Sequence, residues 1–266
     1  MHPFRFGVVA GPPASGADWL HLARAVETAG YDALLLPDTR FTPSPFPALA
    51  AAAAVTTRLR VATWVLAAPL RAPAVVVRET AALQLLSGGR FELGIGTGRP
   101  DAKGEAERLG MPWGPWPDRL DRLLETVGAV RREVHPVPNV IIAGSGPRML
   151  GPAAMGDTVA LALPPSATVD DVRRAAGRTR EGGADRELAL QLSGVGGRLV
   201  QFLERQGMTA AHLPGAAAVL LGDADAMAES LIDLRDRTGV SFLPVAAEHL
   251  EAFQPVLERL RGAEVA

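Results

Sequence analysis

The sequence contains no cysteine. This absence excludes a disulfide framework, a thiolate metal site and a cysteine nucleophile, and it fits a reducing compartment. Neither sign of charge dominates, because 27 Lys and Arg stand against 29 Asp and Glu, for a formal net charge of −2. Such a chain has no concentrated positive field, so we expect neither a nucleic acid nor an anionic membrane surface among its partners.

Long apolar runs are also missing. The longest Ala-rich stretch, 48–55, is far shorter than the roughly 18 residues that a membrane helix needs. The start, MHPFRFGVV, lacks the charged region and the small-residue cleavage site of a secretory signal. We therefore expect a soluble, cytoplasmic protein. With 266 residues, of which 48% are hydrophobic, the chain has material for one large core, and we expect a single domain over residues 1–266.

Short runs of β-branched and leucine residues alternate with segments of helical period along the chain. This alternation is typical of parallel strands joined by crossover helices. Eight runs are candidate strands, which predicts an α/β fold, a (β/α)8 TIM barrel. They are Phe4–Val9, Ala33–Leu36, Leu59–Leu66, Phe91–Ile95, Val140–Ala143, Thr158–Leu163, Glu187–Leu192 and Val240–Val245.

Two connections are longer than a barrel needs. They are insertions at Thr97–Pro117, after the fourth strand, and Ser193–Gly222, after the seventh, and the second contains an amphipathic, partly helical piece at Leu199–Gln206. Both follow strand carboxyl ends, which form the catalytic face of this architecture. We therefore interpret them as lid or substrate-pocket material, with a surface excursion as the alternative.

A glycine-rich turn follows the fifth candidate strand and precedes a predicted helix. Its sequence is Ala143-Gly144-Ser145-Gly146-Pro147-Arg148. The glycines allow close approach of the backbone, Ser145 adds a hydroxyl donor, and Arg148 adds a cation beside the positive end of the helix. The turn therefore predicts a phosphate site. A plain connection is the alternative, because a Gly-Ser-Gly turn alone is weak evidence.

Two other strand ends carry unusual residues. Trp64 lies among small residues at the end of the third strand, where core filling is the alternative to a ligand contact. The fourth strand ends in Gly94-Ile95-Gly96-Thr97-Gly98-Arg99. Glycine weakens a strand, so this run predicts room for a flat ligand over the barrel, with a hydroxyl from Thr97.

A longer block makes the sequence recognisable. PLRAPAVVVRETAALQLLSGGRFELGIGTGRPDAKGEAERLGMPW, residues 69–113, resembles the signature region of the luciferase-like monooxygenase superfamily. That superfamily includes FMN-dependent monooxygenases and oxidoreductases that use coenzyme F420. Further matches follow in the same order as in the family: AVETAGYDALLLPDT, VIIAGSGPRML and DLRDRTGVSFLPV.

The resemblance implies a cofactor site at the strand carboxyl ends. The ring would rest on a bulge at the end of the third strand, where relatives often have a non-prolyl cis peptide, here Trp64–Val65. Thr97 and Gly98 would approach the ring or the ribityl chain, and residues 143–148 would hold the phosphate. The implied cofactor-binding residues are Thr63, Trp64, Val65, Leu66, Thr97, Gly98, Ala143, Gly144, Ser145, Gly146, Pro147 and Arg148.

The chain departs from the family at two positions. Many deazaflavin-dependent members carry Asp-His after the second strand, whereas this chain has Asp38-Thr39, and several have Glu where it has Arg99. The acid–base groups of those members are therefore not transferable. Asp38 and Arg99 remain candidate catalytic residues because both should point into the barrel mouth, with a salt bridge between them as the alternative.

One histidine is a candidate proton donor. His249 follows the eighth strand and lies beside Glu248, while a helix-start histidine without a role is the alternative. His212, in the second insertion, is also compatible with the catalytic face. No His, Asp or Glu cluster has metal-ligand spacing, so we expect no metal.

These features predict an oxidoreductase that uses reduced F420 to transfer hydride to a small organic substrate, with an FMN- and oxygen-dependent monooxygenase as the alternative. A separate flavin or F420 reductase is a possible partner. A cofactor- or substrate-binding barrel without catalysis stays open because of the two departures, and a lyase or isomerase of a phosphorylated substrate stays open because of the phosphate site. Relatives often dimerise through helices two and three, and the Ala-rich face 48–54 would allow a homodimer.

Overall fold

The computed structural model of the protein describes residues 2–144, 146–153, 155–180 and 185–265. Its strands are β1 (Arg5–Val9), β2 (Ala33–Leu36), β3 (Arg60–Thr63), β4 (Leu66–Ala67), β5 (Phe91–Gly96), β6 (Asn139–Ala143), β7 (Thr158–Ala160), β8 (Glu187–Ala189), β9 (Gly194–Val195), β10 (Arg198–Leu199) and β11 (Val240–Ala246). Its α-helices are α1 (Gly16–Thr28), α2 (Pro45–Ala54), α3 (Pro73–Ser87), α4 (Lys103–Arg108), α5 (Trp116–Glu133), α6 (Leu150–Ala153), α7 (Val169–Arg180), α8 (Gln201–Glu204), α9 (Ala224–Thr238) and α10 (Leu250–Val265).

The main sheet closes on itself. Its order is β3-β2-β1-β11-β8-β7-β6-β5-β4, and β3 also pairs with β5. Neighbouring strands in this sheet are parallel. Since β3 and β4 are two pieces of one strand, the sheet is a closed barrel of eight parallel strands surrounded by helices. The predicted (β/α)8 TIM barrel is confirmed.

The third strand departs from its prediction. A continuous strand over Leu59–Leu66 is wrong, because β3 ends at Thr63 and pairing resumes only at Leu66 in β4. The Trp64–Val65 peptide bond between the two pieces is cis, as the resemblance implied. After the break, β4 pairs with the carboxyl end of β5 through Leu66 and Ala67.

The helices bury the apolar stripes that the sequence predicts. In α1 the buried residues are Trp19, Ala23 and Val26, and the Ser15 hydroxyl caps the helix by accepting from the Asp18 N–H. The Trp19 indole N–H donates to the carbonyl of Ala48 at 2.7 Å, which ties α1 to α2. Helix α5 buries the same kind of stripe at Leu123, Val127 and Val130.

A charged network fills the amino end of the barrel. Arg5 donates to Glu187 at 2.9 Å and to both carboxylate oxygens of Glu92 at 2.9 and 3.0 Å. Asn139 also donates to Glu92, at 3.1 Å, and Thr158 donates to Glu187, at 2.8 Å. Burial raises the pKa of Glu187, while the charge of Arg5 opposes that rise. These residues lie at the starts of their strands, so they form a polar plug opposite the catalytic face.

Both insertions carry structure of their own. The first contains α4 and leads into α5 at Trp116. The second contains an antiparallel hairpin of β9 and β10, then α8, around a small core of Leu199, Leu203, Leu213, Ala216 and Val219. The predicted helical piece is confirmed over Gln201–Glu204. In the part of the chain that the structure describes, no helix is long and apolar enough to cross a membrane.

Candidate functional site

Three separate segments meet in one cavity at the carboxyl ends of the strands. The cavity has a volume of about 560 Å³, and we call it the Arg148 cavity. The segment after the β3 break, the end of β5 with its following turn, and the turn after β6 all contribute to its wall. Its lining is Val65, Leu66, Ala67, Gly96, Thr97, Gly98, Arg99, Trp116, Ala143, Gly144, Gly146, Arg148, Met149 and Ala162. The structure thus brings together most of the residues predicted to bind a cofactor.

A second cavity of about 700 Å³ adjoins it, and we call it the Gln191 cavity. The two share Val65, Arg99, Ala143 and Ala162. The rest of the second lining comes from the ends of β1 and β2, from Trp64 in the β3 break, from the end of β7 through α7, from the chain after β8, and from the second insertion. These residues are Val9, Pro37, Asp38, Thr39, Trp64, Ala160, Leu161, Leu163, Pro164, Ala167, Val172, Leu190, Gln191, Ser193, Phe202 and Ala218.

Two glycines of β5 leave room for the break between β3 and β4. The Thr63 hydroxyl donates to the Gly94 carbonyl at 2.7 Å, and the Gly94 N–H donates to that hydroxyl at 2.9 Å. A Cβ at Gly94 would overlap the carbonyl oxygen of Thr63, and one at Gly96 would lie 3.2 Å from the Val65 side chain. The prediction that Gly94 makes room for a flat ligand is wrong, because Gly94 makes room for the backbone of β3. Thr63 is fully buried and lines neither cavity.

The turn after β5 is held by the first insertion. Gly98 has a φ of +85°, and a Cβ there would lie 2.8 Å from the Trp113 ring. Arg119 donates to the Thr97 carbonyl at 3.1 Å, and its guanidinium lies 4.5 Å from the centre of the Trp113 ring. Trp113 and Arg119 therefore fix the position of Thr97 and Gly98 in the wall of the Arg148 cavity.

The turn after β6 presents a glycine and a cation to the same cavity. Gly146 is exposed, and a Cβ there would meet nothing within 4 Å, which leaves open space for an approaching group. Arg148 is exposed, with its guanidinium 5.4 Å from the centre of the Trp116 ring. Ser145 lies outside the described residues, as does the side chain of Pro147.

The helix that follows this turn, as predicted, is short. The residues after the turn form a short 3₁₀ segment, Pro147–Met149, followed by α6, which spans only Leu150–Ala153. So short a helix has little macrodipole. The Gly144 N–H is also engaged, because it donates to the Ala160 carbonyl at 2.9 Å. Open space at Gly146 and the charge of Arg148 remain as the features that suit an anion.

The carboxylate of Asp38 pairs with Arg71. Asp38 is buried and lines the Gln191 cavity, and its Oδ1 accepts from Nη2 of Arg71 at 2.9 Å. A second, shorter contact joins Oδ2 to Nη1 of Arg71, which makes the pair bidentate. The alternative of an Asp38–Arg99 salt bridge is therefore wrong, because Arg71 occupies both carboxylate oxygens.

Arg99 lies in the wall shared by the two cavities. Its guanidinium contacts Asp101 at 3.1 Å and Glu105 at 3.0 Å, both in the first insertion. It also donates to the backbone carbonyl of Asp38 at 3.3 Å. The loops after β2 and β5 are thus joined, but through a carbonyl rather than through two side-chain charges.

His249 lies away from this site. It is buried and is not among the lining residues of either cavity. Burial lowers its pKa, against the opposing charge of Glu248, and Glu248 itself accepts from the backbone N–H of Gln201 in α8. In this structure His249 does not meet the cavities, so the geometry gives it no path to a bound substrate.

Sequence reasoning missed the polar wall of the Gln191 cavity. The Trp64 indole N–H donates to Oε1 of Gln191 at 2.8 Å, across 127 positions of sequence. Ser193 follows in the same wall. A lone glutamine after a strand belongs to no motif, so no local signal could have identified it. Arg71 was missed likewise, although it stands in the family block. Among the described residues, no group of three or more potential metal ligands occurs.

Two curated proteins match part of this chain in sequence. An uncharacterized protein of Mycobacterium tuberculosis is 33% identical over 134 residues, which cover 41% of this chain and 46% of that protein. An F420-dependent glucose-6-phosphate dehydrogenase of Beutenbergia cavernae is 36% identical over 123 residues, covering 43% of this chain and 36% of the dehydrogenase. The chain thus matches less than half the length of these curated relatives.

Solved structures share the barrel at low sequence identity. An F420-dependent secondary alcohol dehydrogenase in complex with an F420-acetone adduct has a TM-score of 0.76 and 15% identity, with 98% of this chain and 100% of that chain covered. The oxygenating constituent of 3,6-diketocamphane monooxygenase of Pseudomonas putida, in complex with FMN, has a TM-score of 0.71 and 16% identity, covering 97% and 96%. The sequence model of the luciferase-like monooxygenase family matches residues 1–134. The chain, which carries the signature block on a barrel of that architecture, therefore belongs to the luciferase-like monooxygenase family.

Proposed function

We propose that the chain is a redox enzyme that binds reduced coenzyme F420 in the Arg148 cavity and reduces a small organic substrate in the Gln191 cavity. The observation that carries the proposal is the meeting of residues 65–67, 96–99 and 143–149 around one cavity. This volume, about 560 Å³, is in the range of cofactor and ligand pockets, roughly 300–1,000 Å³.

The residues present fit the anionic part of such a cofactor. Arg148 offers a cation at the rim, and the open space at Gly146 admits a phosphate close to the backbone. Val65 and Leu66, after the β3 break, offer an apolar surface on which a flat ring would rest. The pairing of Thr63 with Gly94 holds that surface in place.

The bound cofactor would supply the hydride, and the protein would supply position and shielding. Val65 and Ala143 belong to both cavities, so a ring resting there would face the substrate space directly. Leu161, Leu163 and Leu190 would exclude water from that space. Asp38 and Arg99 would hold the rim loops through their contacts with Arg71 and Glu105, and neither is assigned a proton.

The choice of F420 over FMN is supported by the curated relatives. Several of them bear the name F420-dependent glucose-6-phosphate dehydrogenase, at 33–36% identity. FMN is the alternative, because an FMN complex is among the barrels of similar fold. With FMN, the same cavities would serve a monooxygenase that consumes oxygen.

A second candidate function is binding without turnover. The bidentate Asp38–Arg71 pair favours it, since the carboxylate nearest the substrate space already has a charged partner. Consumption of reduced cofactor in the presence of any candidate acceptor would eliminate this alternative.

Titration of the purified protein with F420 and with FMN tests the proposal. We expect micromolar or tighter binding of F420, and a loss of about tenfold or more in affinity for Arg148→Gln, since a charge-assisted hydrogen bond contributes about 1.5–3 kcal/mol. Arg24→Gln, on the outer face of α1, is the matched control and should bind F420 normally. Tighter binding of FMN would overturn the choice of F420. If neither bound at micromolar concentration, the lyase or isomerase of a phosphorylated substrate would be favoured.

We further propose that the chain forms a homodimer through α2 and α3 and receives its reduced cofactor from a separate reductase. A groove of about 310 Å³ lies between these helices, and Leu86 beside it is 65% exposed. Of the predicted Ala-rich stretch 48–54, Ala50 lines this groove, and Ala51 and Ala54 are exposed. Ala48, Ala52 and Ala53 are buried and are not available to a partner.

A further inference from the structure

The amide of Gln191 has one fixed orientation. The indole N–H of Trp64 only donates, so the atom of Gln191 that lies 2.8 Å from it must be the carbonyl oxygen. The two N–H groups of Nε2 therefore point away from Trp64, and they have no partner among the described residues. Since Gln191 lines the second cavity and is only half-buried, these donors are offered to whatever occupies that cavity.

The charges around the Gln191 cavity are already paired. Its lining contains Asp38 and Arg99 as the charged side chains of the described residues. Asp38 is bidentate to Arg71, and Arg99 contacts Asp101 and Glu105. A phosphate or carboxylate group in this cavity would thus lose its hydration without gaining an uncommitted cation, which is costly. By contrast, Arg148 lies in the other cavity, where an anionic cofactor would place its phosphate.

The remaining lining is apolar or neutral. The apolar side chains of this lining include Val9, Ala160, Leu161, Leu163, Ala167, Val172, Leu190 and Phe202. Phe202 of α8 is 68% exposed, although its neighbour Leu203 is buried in the small core of the insertion. The insertion therefore presents an aromatic ring at the entrance to an apolar chamber.

We propose that Gln191 is a specificity-determining residue and that the Gln191 cavity takes an uncharged, largely apolar molecule with one hydrogen-bond-accepting oxygen, held by Nε2 of Gln191. This inference rests on the proposed function, because it names the substrate class of the same site. A ligand without an acceptor leaves the Nε2 donors unpaired, and an anionic ligand lacks a counter-ion. The lining of the Gln191 cavity therefore discriminates against both kinds of ligand.

The Gln191 cavity, of about 700 Å³ and mostly apolar lining, has room for a bicyclic ketone, so 2-decalone is the probe and decalin-2-carboxylate its anionic counterpart. Calorimetric titrations of the purified chain, with and without saturating F420, give both affinities. We expect the ketone to bind at least tenfold more tightly than the carboxylate. Glucose 6-phosphate should bind no better than the carboxylate.

Two substitutions separate a binding role from a structural one. Gln191→Glu keeps an acceptor for the Trp64 indole and removes the Nε2 donors, whereas Gln191→Leu removes both. Each should weaken ketone binding about tenfold, the upper end of a single hydrogen bond. Only Gln191→Leu should remove the hydrogen bond of the Trp64 indole, which the chemical shift of its Nε1–H proton reports. Gln254→Leu, on α10, is the control and should leave ketone affinity unchanged.

Three results would overturn the inference: equal affinity for ketone and carboxylate, unchanged ketone affinity in both Gln191 variants, or no ketone binding either with or without F420. The F420 titration is read separately. Ketone binding without F420 binding would refute the proposed cofactor and leave the cavity's selectivity intact. F420 binding without ketone selectivity would refute only the role of Gln191.

Discussion

The hydroxyl of Thr63 and the backbone of Gly94 form a reciprocal pair, each donating to the other, at the point where β3 breaks. Because no space for a side chain is left between the two strands there, the position demands glycine. This pair sets the floor of the Arg148 cavity, since Val65 and Leu66 follow it directly.

Gly94→Ala should therefore destabilise the protein strongly. The added methyl group would push β3 away from β5, at a cost of about 1–3 kcal/mol or more in the free energy of unfolding. Urea denaturation measures this loss. The control is Gly104→Ala in α4, where a Cβ meets nothing within 4 Å and alanine should stabilise the helix slightly. Equal effects of the two substitutions would contradict the assigned role of Gly94.

The Asp38–Arg71 pair predicts energetic coupling between two loops. Asp38→Asn and Arg71→Gln should each lower the free energy of unfolding by about 1–3 kcal/mol, because the first leaves Arg71 without its anion and the second leaves the buried Asp38 carboxylate without its cation. The double variant should lose less than the sum, with a coupling of about 1 kcal/mol or more in a double-mutant cycle. Additive losses would mean that the two side chains act independently.

The polar plug predicts a large effect at the amino end of the barrel. Arg5→Met would leave the buried Glu187 without its cation and Glu92 with Arg60 as its remaining cation, so we expect a loss of about 3 kcal/mol, at the lower end of the cost of breaking a buried pair. Thermal and urea unfolding give the loss. Arg259→Met removes an arginine whose ion pair with Asp225 is fully exposed, so its unfolding transition should scarcely move.

His249 predicts a pH dependence of stability. Burial lowers its pKa below the ordinary 6.5, so between that value and the lower, folded-state pKa the unfolded chain binds a proton that the folded chain does not. Stability should therefore fall as the pH drops from 7 through 6.5 toward the lower, folded-state pKa of His249. His249→Gln should flatten this part of the curve, whereas His21→Gln, an exposed change in α1, should leave its slope intact.

The α2–α3 surface predicts the oligomeric state. Sedimentation velocity should give a dimer for the natural chain and a monomer for Leu86→Asp, because a charge on that surface would have to be desolvated in the interface. Leu109→Asp is matched in exposure, at 59% against 65%, and lies in the first insertion. It should remain dimeric. A monomeric natural chain would refute the interface.

The strands were predictable where one short apolar run contains all the information, as in Ala33–Leu36 and Phe91–Gly96. The hairpin of β9 and β10 was not, because two-residue strands carry no period. The predicted turn residues Thr97, Gly98 and Gly144 do line one cavity, since glycine-rich strand ends on parallel strands meet at one edge. The hydrogen-bond partners of Asp38 and Trp64 could not be predicted. Arg71 reaches Asp38, and Gln191 reaches Trp64, because the barrel closes, and neighbouring sequence gives no sign of either contact.

The charged network around Arg5 also limits the routes by which ligands can enter the barrel. Side chains that bind one another fill the amino end of the barrel, whereas both cavities lie at the carboxyl ends of the strands. A cofactor and a substrate would therefore approach the described chain from the same end of the barrel, and neither could enter along the barrel axis from the amino end.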